Sequence, residues 1–144
     1  EMHLLDGINT FIIDPLTALV SRLDSSSAND KLNEICTDMA DLVSNYPINI
    51  FCFSHVNPKP KSSKSHEQGG KVLSGEFTGS RAMEKWFHYG IGISRDRSED
   101  CPAEEKNMSR FTLLFDREYG QSGGCDVYFD EDTVTYLEPN RWGK

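Results

Sequence analysis

The sequence has no apolar run near the roughly 20 residues that cross a bilayer, and no secretory pattern opens it. Neither a membrane span nor a membrane partner is expected. It is short of cysteine, with four in 144 residues (Cys36, Cys52, Cys101, Cys125). They stand far apart with no C-x-x-C spacing, so neither a zinc site nor a disulfide framework is expected in a chain of this length. They read as reduced thiols of a cytoplasmic protein. Positive charge is also scarce: 15 Lys and Arg against 23 Asp and Glu leave a formal net charge of −8. Over the whole chain this balance counts against nucleic-acid binding, because a phosphate backbone demands local positive charge. The chain does not begin with methionine but with Glu1, and it is expected to be a fragment of a longer protein.

What is present is more specific. From Lys59 to Lys71 the charge balance reverses locally, with Lys59, Lys61, Lys64 and Lys71 against Glu67 alone. The acids gather elsewhere, at Asp96–Glu105 and Asp126–Asp132. Thr10–Ile13 and Ile48–Phe53 are short, continuous apolar runs, the pattern of strands buried on both faces in a parallel sheet. Between them Ser25–Asp30 reads as a polar turn. Leu32, Ile35, Cys36, Met39, Leu42, Val43 and Tyr46 then share one helical face, which Asn29 or Asp30 would cap and Pro47 would end. Strand, helix and strand make a βαβ unit. A Pro-, Lys-, Ser- and Gly-rich loop follows from Asn57 to Gly75, long enough to be functional or disordered. A short helix is expected over Ser80–His88, and strands over Tyr89–Ser94 and Phe111–Phe115. Cys125–Phe129 and Thr133–Leu137 read as a hairpin around Asp130-Glu131-Asp132. The expected architecture is one α/β domain: a mostly parallel sheet with flanking helices and an antiparallel C-terminal hairpin.

Four features bear on chemistry. Asp14 closes the first strand, and open α/β sheets bind ligands at the carboxyl ends of their strands. A carboxylate there holds a nucleotide's Mg²⁺ in phosphate-processing folds; otherwise it caps the turn at Pro15. Ser54-His55 closes the next strand. A polar residue there lies beside Asp14 and either hydrogen-bonds a γ-phosphate or attacking water, or is structural. The Lys-rich loop either touches DNA phosphates, for which lysine suffices as a point charge, or is a solvated linker. Arg117, with Arg95 after the third strand, either reaches a neighbouring subunit's nucleotide or pairs on the surface with Asp116 or Glu118.

Taken in order, these features resemble a known family. Apolar strand and Asp14, helix, strand and Ser54-His55, basic loop, Gly79-Ser80-Arg81-Ala82-Met83, strand and Arg95, strand and Arg117, and a hairpin ending Tyr136-Leu137-Glu138-Pro139 run as in the C-terminal part of the DnaB-like helicase domain. The phage primase-helicases are the nearest type. The resemblance covers nearly the whole chain and implies a RecA-like P-loop NTPase fold fragment, residues 1–144 forming the C-terminal half of the ATPase domain. It implies an NTP-dependent DNA helicase: a homo-hexameric ring that moves on single-stranded DNA and unwinds duplex, using Mg²⁺ with ATP or another NTP. Primase and polymerase are the implied partners, in the cytoplasm of a phage-infected bacterial host. By this resemblance Asp14 is the Walker B acid and His55 the phosphate-sensing His. Lys59, Lys61, Lys64 and Lys71 belong to a DNA-binding loop, and Ser21–Asp30 to another channel-facing loop. Arg117 is the arginine finger, and Arg95 a second arginine at the same boundary.

Three departures stand out. Lys85 occupies the place of a Gln that couples nucleotide to DNA in relatives. Phe115 occupies the place of a Lys two residues before the finger. No G-x-x-x-x-G-K-[ST] occurs in the sequence, so the phosphate cradle is absent from this chain, as is the upstream Glu that activates water. The chain alone is therefore expected to be inactive. A RecA-type recombinase core, a stand-alone nucleic-acid-binding module and a non-ATPase interaction domain remain the alternative readings.

Overall fold

The computed structural model describes residues 6–78 and 80–138. They form two compact units, one built from the chain up to Val56 with Phe77–Phe87, the other from Asn57–Glu76 with the chain from His88 onward.

In the first unit, β1 (Thr10–Ile13) and β2 (Asn49–Cys52) pair in parallel, with Thr10 opposite Asn49 and Ile13 opposite Cys52. A 3₁₀ helix (Leu16–Val20) and helix α1 (Ser25–Asn45) connect them. α1 starts earlier than the apolar periodicity indicates. Asp24 is its cap, accepting the N–H groups of Ser26 and Ser27, while the Ser27 hydroxyl donates to the same carboxylate at 2.7 Å. The expected turn at Ser25–Asp30 is thus the opening of the helix. Apart from half-buried Ala28 its residues are exposed, and a solvated first turn leaves no hydrophobic period to read. Leu32, Cys36 and Met39 are buried along α1. They join Leu16, Val20, and Ala82 and Met83 of helix α2 (Ser80–Trp86) in one core. Leu16 and Leu32 are almost fully buried, each contributing about 1.5–3 kcal/mol on area grounds.

Ile13, Ile50 and Cys52 pack against this core. The opposite face of the pair does not follow the expected burial on both sides: Ile12, Phe51 and Phe53 are 68%, 56% and 51% exposed. Among the described residues α1 and α2 both contribute to this one core, so alternation along each strand leaves every second side chain exposed.

The second unit is an antiparallel sheet in the order β3 (Tyr89–Arg95), β4 (Met108–Asp116), β5 (Gly123–Asp130), β6 (Thr135–Leu137). The expectation of a mostly parallel sheet is therefore corrected. The fold is mixed α/β, with one parallel pair and one four-stranded antiparallel sheet. A parallel return needs a long, usually helical crossover, and the segment between β3 and β4 carries turns and an isolated bridge at Asp96 but no helix. β4 also begins earlier than expected, at Met108. Its first polar residues sit on cross-strand pairs, Arg110 reaching both carboxylate oxygens of Asp126 at 2.9 and 2.8 Å. Gly90 lets the Phe115 ring lie against the backbone, where a Cβ would come within 2.2 Å of it.

Candidate functional site

The end of the parallel pair is fastened by backbone bonds. Phe53 N–H donates to the Ile13 carbonyl, and Leu16 N–H returns to the Phe53 carbonyl, both at 2.8 Å. Asp14 and Ser54-His55 therefore emerge at the same carboxyl edge, as strand order requires. Asp14 is exposed, and its carboxylate has no hydrogen-bond or ion-pair partner among the described residues. The Ser54 hydroxyl donates to the Thr78 carbonyl at 3.4 Å, and Thr78 N–H donates to the His55 carbonyl at 3.0 Å. The His55 ring sits 3.3 Å from the Thr17 hydroxyl through Nδ1. Sequence reasoning missed Thr17: it lies in a 3₁₀ helix that no periodicity marks.

A Mg²⁺ ion that arrives with phosphates asks for one or two carboxylates and keeps several waters, and the exposed Asp14 fits that request. Among the described residues no three His, Cys, Asp or Glu stand together to hold a metal unaided. Cys36 and Cys52 stay protonated at neutral pH, because burial pushes both thiols up to about 11.

The remaining candidates lie in the second unit. The Lys-rich segment is folded. Gly70 N–H donates to the Ser65 carbonyl at 2.8 Å, and a Cβ on Gly70 would meet the Lys64 carbonyl oxygen at 2.2 Å. Lys59 does not face outward as expected. Its side chain is 9% exposed, its ammonium 2.8 Å from Glu76 Oε1 and 2.7 Å from the Lys71 carbonyl. Glu76 also accepts Leu73 N–H at 2.9 Å. Burial raises the Glu76 pKa, but the Lys59 hydrogen bond, the Leu73 N–H and the nearby charges hold it below the usual range. Lys64 pairs with Asp96 at 3.2 Å while remaining 61% exposed. Lys61 and Lys71 are exposed.

Arg95, expected at a subunit boundary, bonds to its own chain. It is tied inside its own unit, Nε donating to the Lys106 carbonyl at 2.6 Å and Nη2 to Asn107 Oδ1 at 2.5 Å. Arg117 is exposed on a turn shaped by Asp116. That carboxylate accepts the N–H groups of Glu118 and Tyr119 at 2.9 Å each and of Gln121 at 3.2 Å. These bonds hold its pKa low, Tyr119 N–H contributing most. The neighbouring Tyr89 hydroxyl donates to Glu118 at 2.6 Å, which raises the phenol to about 12. Phe115, in place of a family Lys, is half-buried against Gly90. The Lys85 ammonium lies 4.6 Å from the centre of the Trp86 ring.

No protein-family model matches this sequence, and no curated protein does. A solved structure matches in shape: "The Structure Of A DnaB-Like Replicative Helicase And Its Interactions With Primase", at 14% identity and a TM-score of 0.70 over 90% of this chain. The chain shares a fold with part of a DnaB-like replicative helicase. It spans 30% of that helicase chain, and at this identity the likeness is one of fold. Among the described residues no helix is long and apolar enough to cross a membrane.

Proposed function

We propose that this chain is the nucleotide-sensing, DNA-contacting and trans-acting part of a replicative-helicase motor of RecA-like fold and phage primase-helicase type. The whole motor would couple NTP hydrolysis to movement on single-stranded DNA and unwinding of duplex. The observation that carries the reading is the shared carboxyl edge of Asp14 and His55, within a fold matched to a replicative helicase over 90% of the chain.

In this reading Asp14 holds the Mg²⁺ that comes with ATP or another NTP, directly or through water. Bound there, the ion neutralises charge on the transferring phosphoryl group. His55, oriented by Thr17, presents its other ring nitrogen toward the γ-phosphate. Lys61, Lys64 and Lys71 meet the strand's phosphates, Lys64 by exchanging Asp96 for a phosphate. Arg117 acts on the nucleotide of the next subunit in a homo-hexamer. Arg95, tied to its own loop, shapes that boundary from within. A stand-alone nucleic-acid-binding module is less well supported, because Lys59 and Lys64 are already paired inside the chain.

The test is turnover and fork unwinding by a polypeptide that joins this chain to a phosphate-binding loop. Asp14→Asn is expected to lower NTP turnover by on the order of 10²-fold or more, as loss of a transition-state charge partner does, with unwinding lost in parallel. The chain alone is expected to show no turnover. Hydrolysis by the pure chain that Asp14→Ala abolishes would overturn the reading.

A further inference from the structure

Among the described residues the most enclosed ion pair lies inside the segment expected to meet nucleic acid. Lys59 and Glu76 have side chains only 9% and 18% exposed, and they stand near the two ends of the 57–76 segment. Three more ties converge on them. Asn57 N–H donates to the Glu76 carbonyl at 2.7 Å. His66 Nε2 lies 3.1 Å from the Asn57 carbonyl and 3.7 Å from Glu76 Oε2. Lys59 bonds the backbone carbonyl of Lys71 itself at 2.7 Å. The segment is thus closed at its base and pinned at its middle. Two exposed lysines that hold no ion pair among the described residues bracket the fastening: Lys61 two residues after Lys59, and Lys71 on the carbonyl that Lys59 grips.

We propose that Lys59, Glu76 and His66 form a positioning strut, and that Lys61 and Lys71 are the phosphate-contacting cations this strut holds in place. The proposal rests on the reading of the segment as a single-strand contact and assigns its residues different parts. Lys59 meets no phosphate. Its charge is satisfied internally, and a buried charge is released from such a pair only by breaking it. What the strut supplies is preorganisation: two flexible side chains are offered from a fixed backbone, which lowers the ordering cost of binding.

This makes an unusual sign prediction. Glu76→Gln removes a negative charge from a basic surface, so charge alone predicts tighter binding of an anion. The strut predicts the opposite, because Glu76 holds Lys59 and through it Lys71. The experiment is binding of a labelled oligothymidylate to the 144-residue chain by fluorescence anisotropy across a salt series. Lys61→Ala and Lys71→Ala are each expected to reduce the salt slope by about 0.7, the step for one phosphate contact on a single strand. Lys59→Met and Glu76→Gln are each expected to weaken binding about five-fold, a cost of the size that lost preorganisation brings, without the one-contact step in slope. Tighter binding by Glu76→Gln, or a full one-contact step for Lys59→Met, overturns the proposal. Thermal unfolding supplies a measurement independent of DNA. The two substitutions are expected to lower Tm together by little more than either alone, since each breaks the same pair. Additive losses overturn the strut. If the chain binds no oligonucleotide at low salt, the phosphate-contact reading of the segment fails, and the proposed roles of Lys61 and Lys71 fail with it. The strut itself is then decided by the thermal cycle alone.

Discussion

The unit that carries Asp14 and His55 rests on apolar packing and leaves the strand-end carboxylate of Asp14 uncommitted among the described residues. The unit that carries the candidate lysines and arginines buries few hydrophobic side chains, Val72 and Cys101 among them, and ties many of its charges to one another. Lys59 holds Glu76, Lys64 holds Asp96, and Arg110 holds Asp126. Arg95 closes on Lys106 and Asn107, and Asp116 gathers three backbone N–H groups. The difference follows from the connections. A 21-residue helix satisfies its own backbone and buries one apolar stripe. Segments 57–76 and 96–107 lack a long helix, so side-chain carboxylates, lysines and arginines must satisfy their backbone groups. Charged residues in such segments are as readily architecture as binding surface, whereas an exposed carboxylate beyond a strand end, with no internal partner, is available for a ligand.

The sharpest way to break that comparison is at Arg117. In the assembled motor, Arg117→Ala is expected to lower turnover by roughly 10³–10⁵-fold, the range measured for arginine fingers. If Arg117→Ala leaves single-turnover hydrolysis unchanged, the arginine belongs to the architecture with Arg95. Next in size is the apolar core of the first unit. Leu32→Ala is expected to cost about 2–5 kcal/mol in denaturant unfolding, nearly independent of salt. A strongly salt-dependent loss would mean that charge holds this unit too. A smaller effect is expected at the helix cap, where Asp24→Ala should lower stability less than Leu32→Ala does, with the loss confined by hydrogen exchange to the first turns of α1.

The smallest effect is a pH dependence that should separate the two units. Glu76, Asp96, Asp116 and Glu118 all titrate below their ordinary values of 4.5 and 3.8, and in the first unit Asp24 does so too. A lowered carboxylate stabilises the fold above its unfolded pKa, and that contribution is lost as pH falls through the lower folded value. Below about pH 4, near the unperturbed carboxylate values, the second unit is expected to open first, as read by residue-specific amide exchange. Opening of α1 before β4 and β5 would contradict this. At the other end, Tyr89 is expected to ionise near 12, well above its ordinary 10.0. Its bond to Glu118 therefore persists below pH 10 and is lost as pH rises through that higher value. Ultraviolet difference absorbance of Tyr89→Phe against the parent isolates its transition.

Much of this was legible in the residues. β1 lies where a continuous β-branched run predicts it, and α1 ends where Pro47 requires. The hairpin pattern places β5 and β6 next to each other, although the turn falls at residues 131–134 and β6 starts at Thr135, two residues later than expected. Asp14 and His55 share an edge because parallel neighbours end together, which strand order alone dictates. Other features depend on partners remote in sequence. Whether Ile12 and Phe51 are covered depends on what packs over β1 and β2. The direction of β4 depends on the absence of a helix after Arg95, which polar composition does not reveal. The fates of Lys59 and Arg95 were the least readable, since a lysine in a basic run and an arginine after a strand look the same whether solvated or clamped. The sequence by itself determined where strands end and which groups stand there, because those depend on local pattern and chain order. Only the tertiary structure decided which charges remain exposed, because an ion pair such as Lys59–Glu76 forms between residues that no local pattern links.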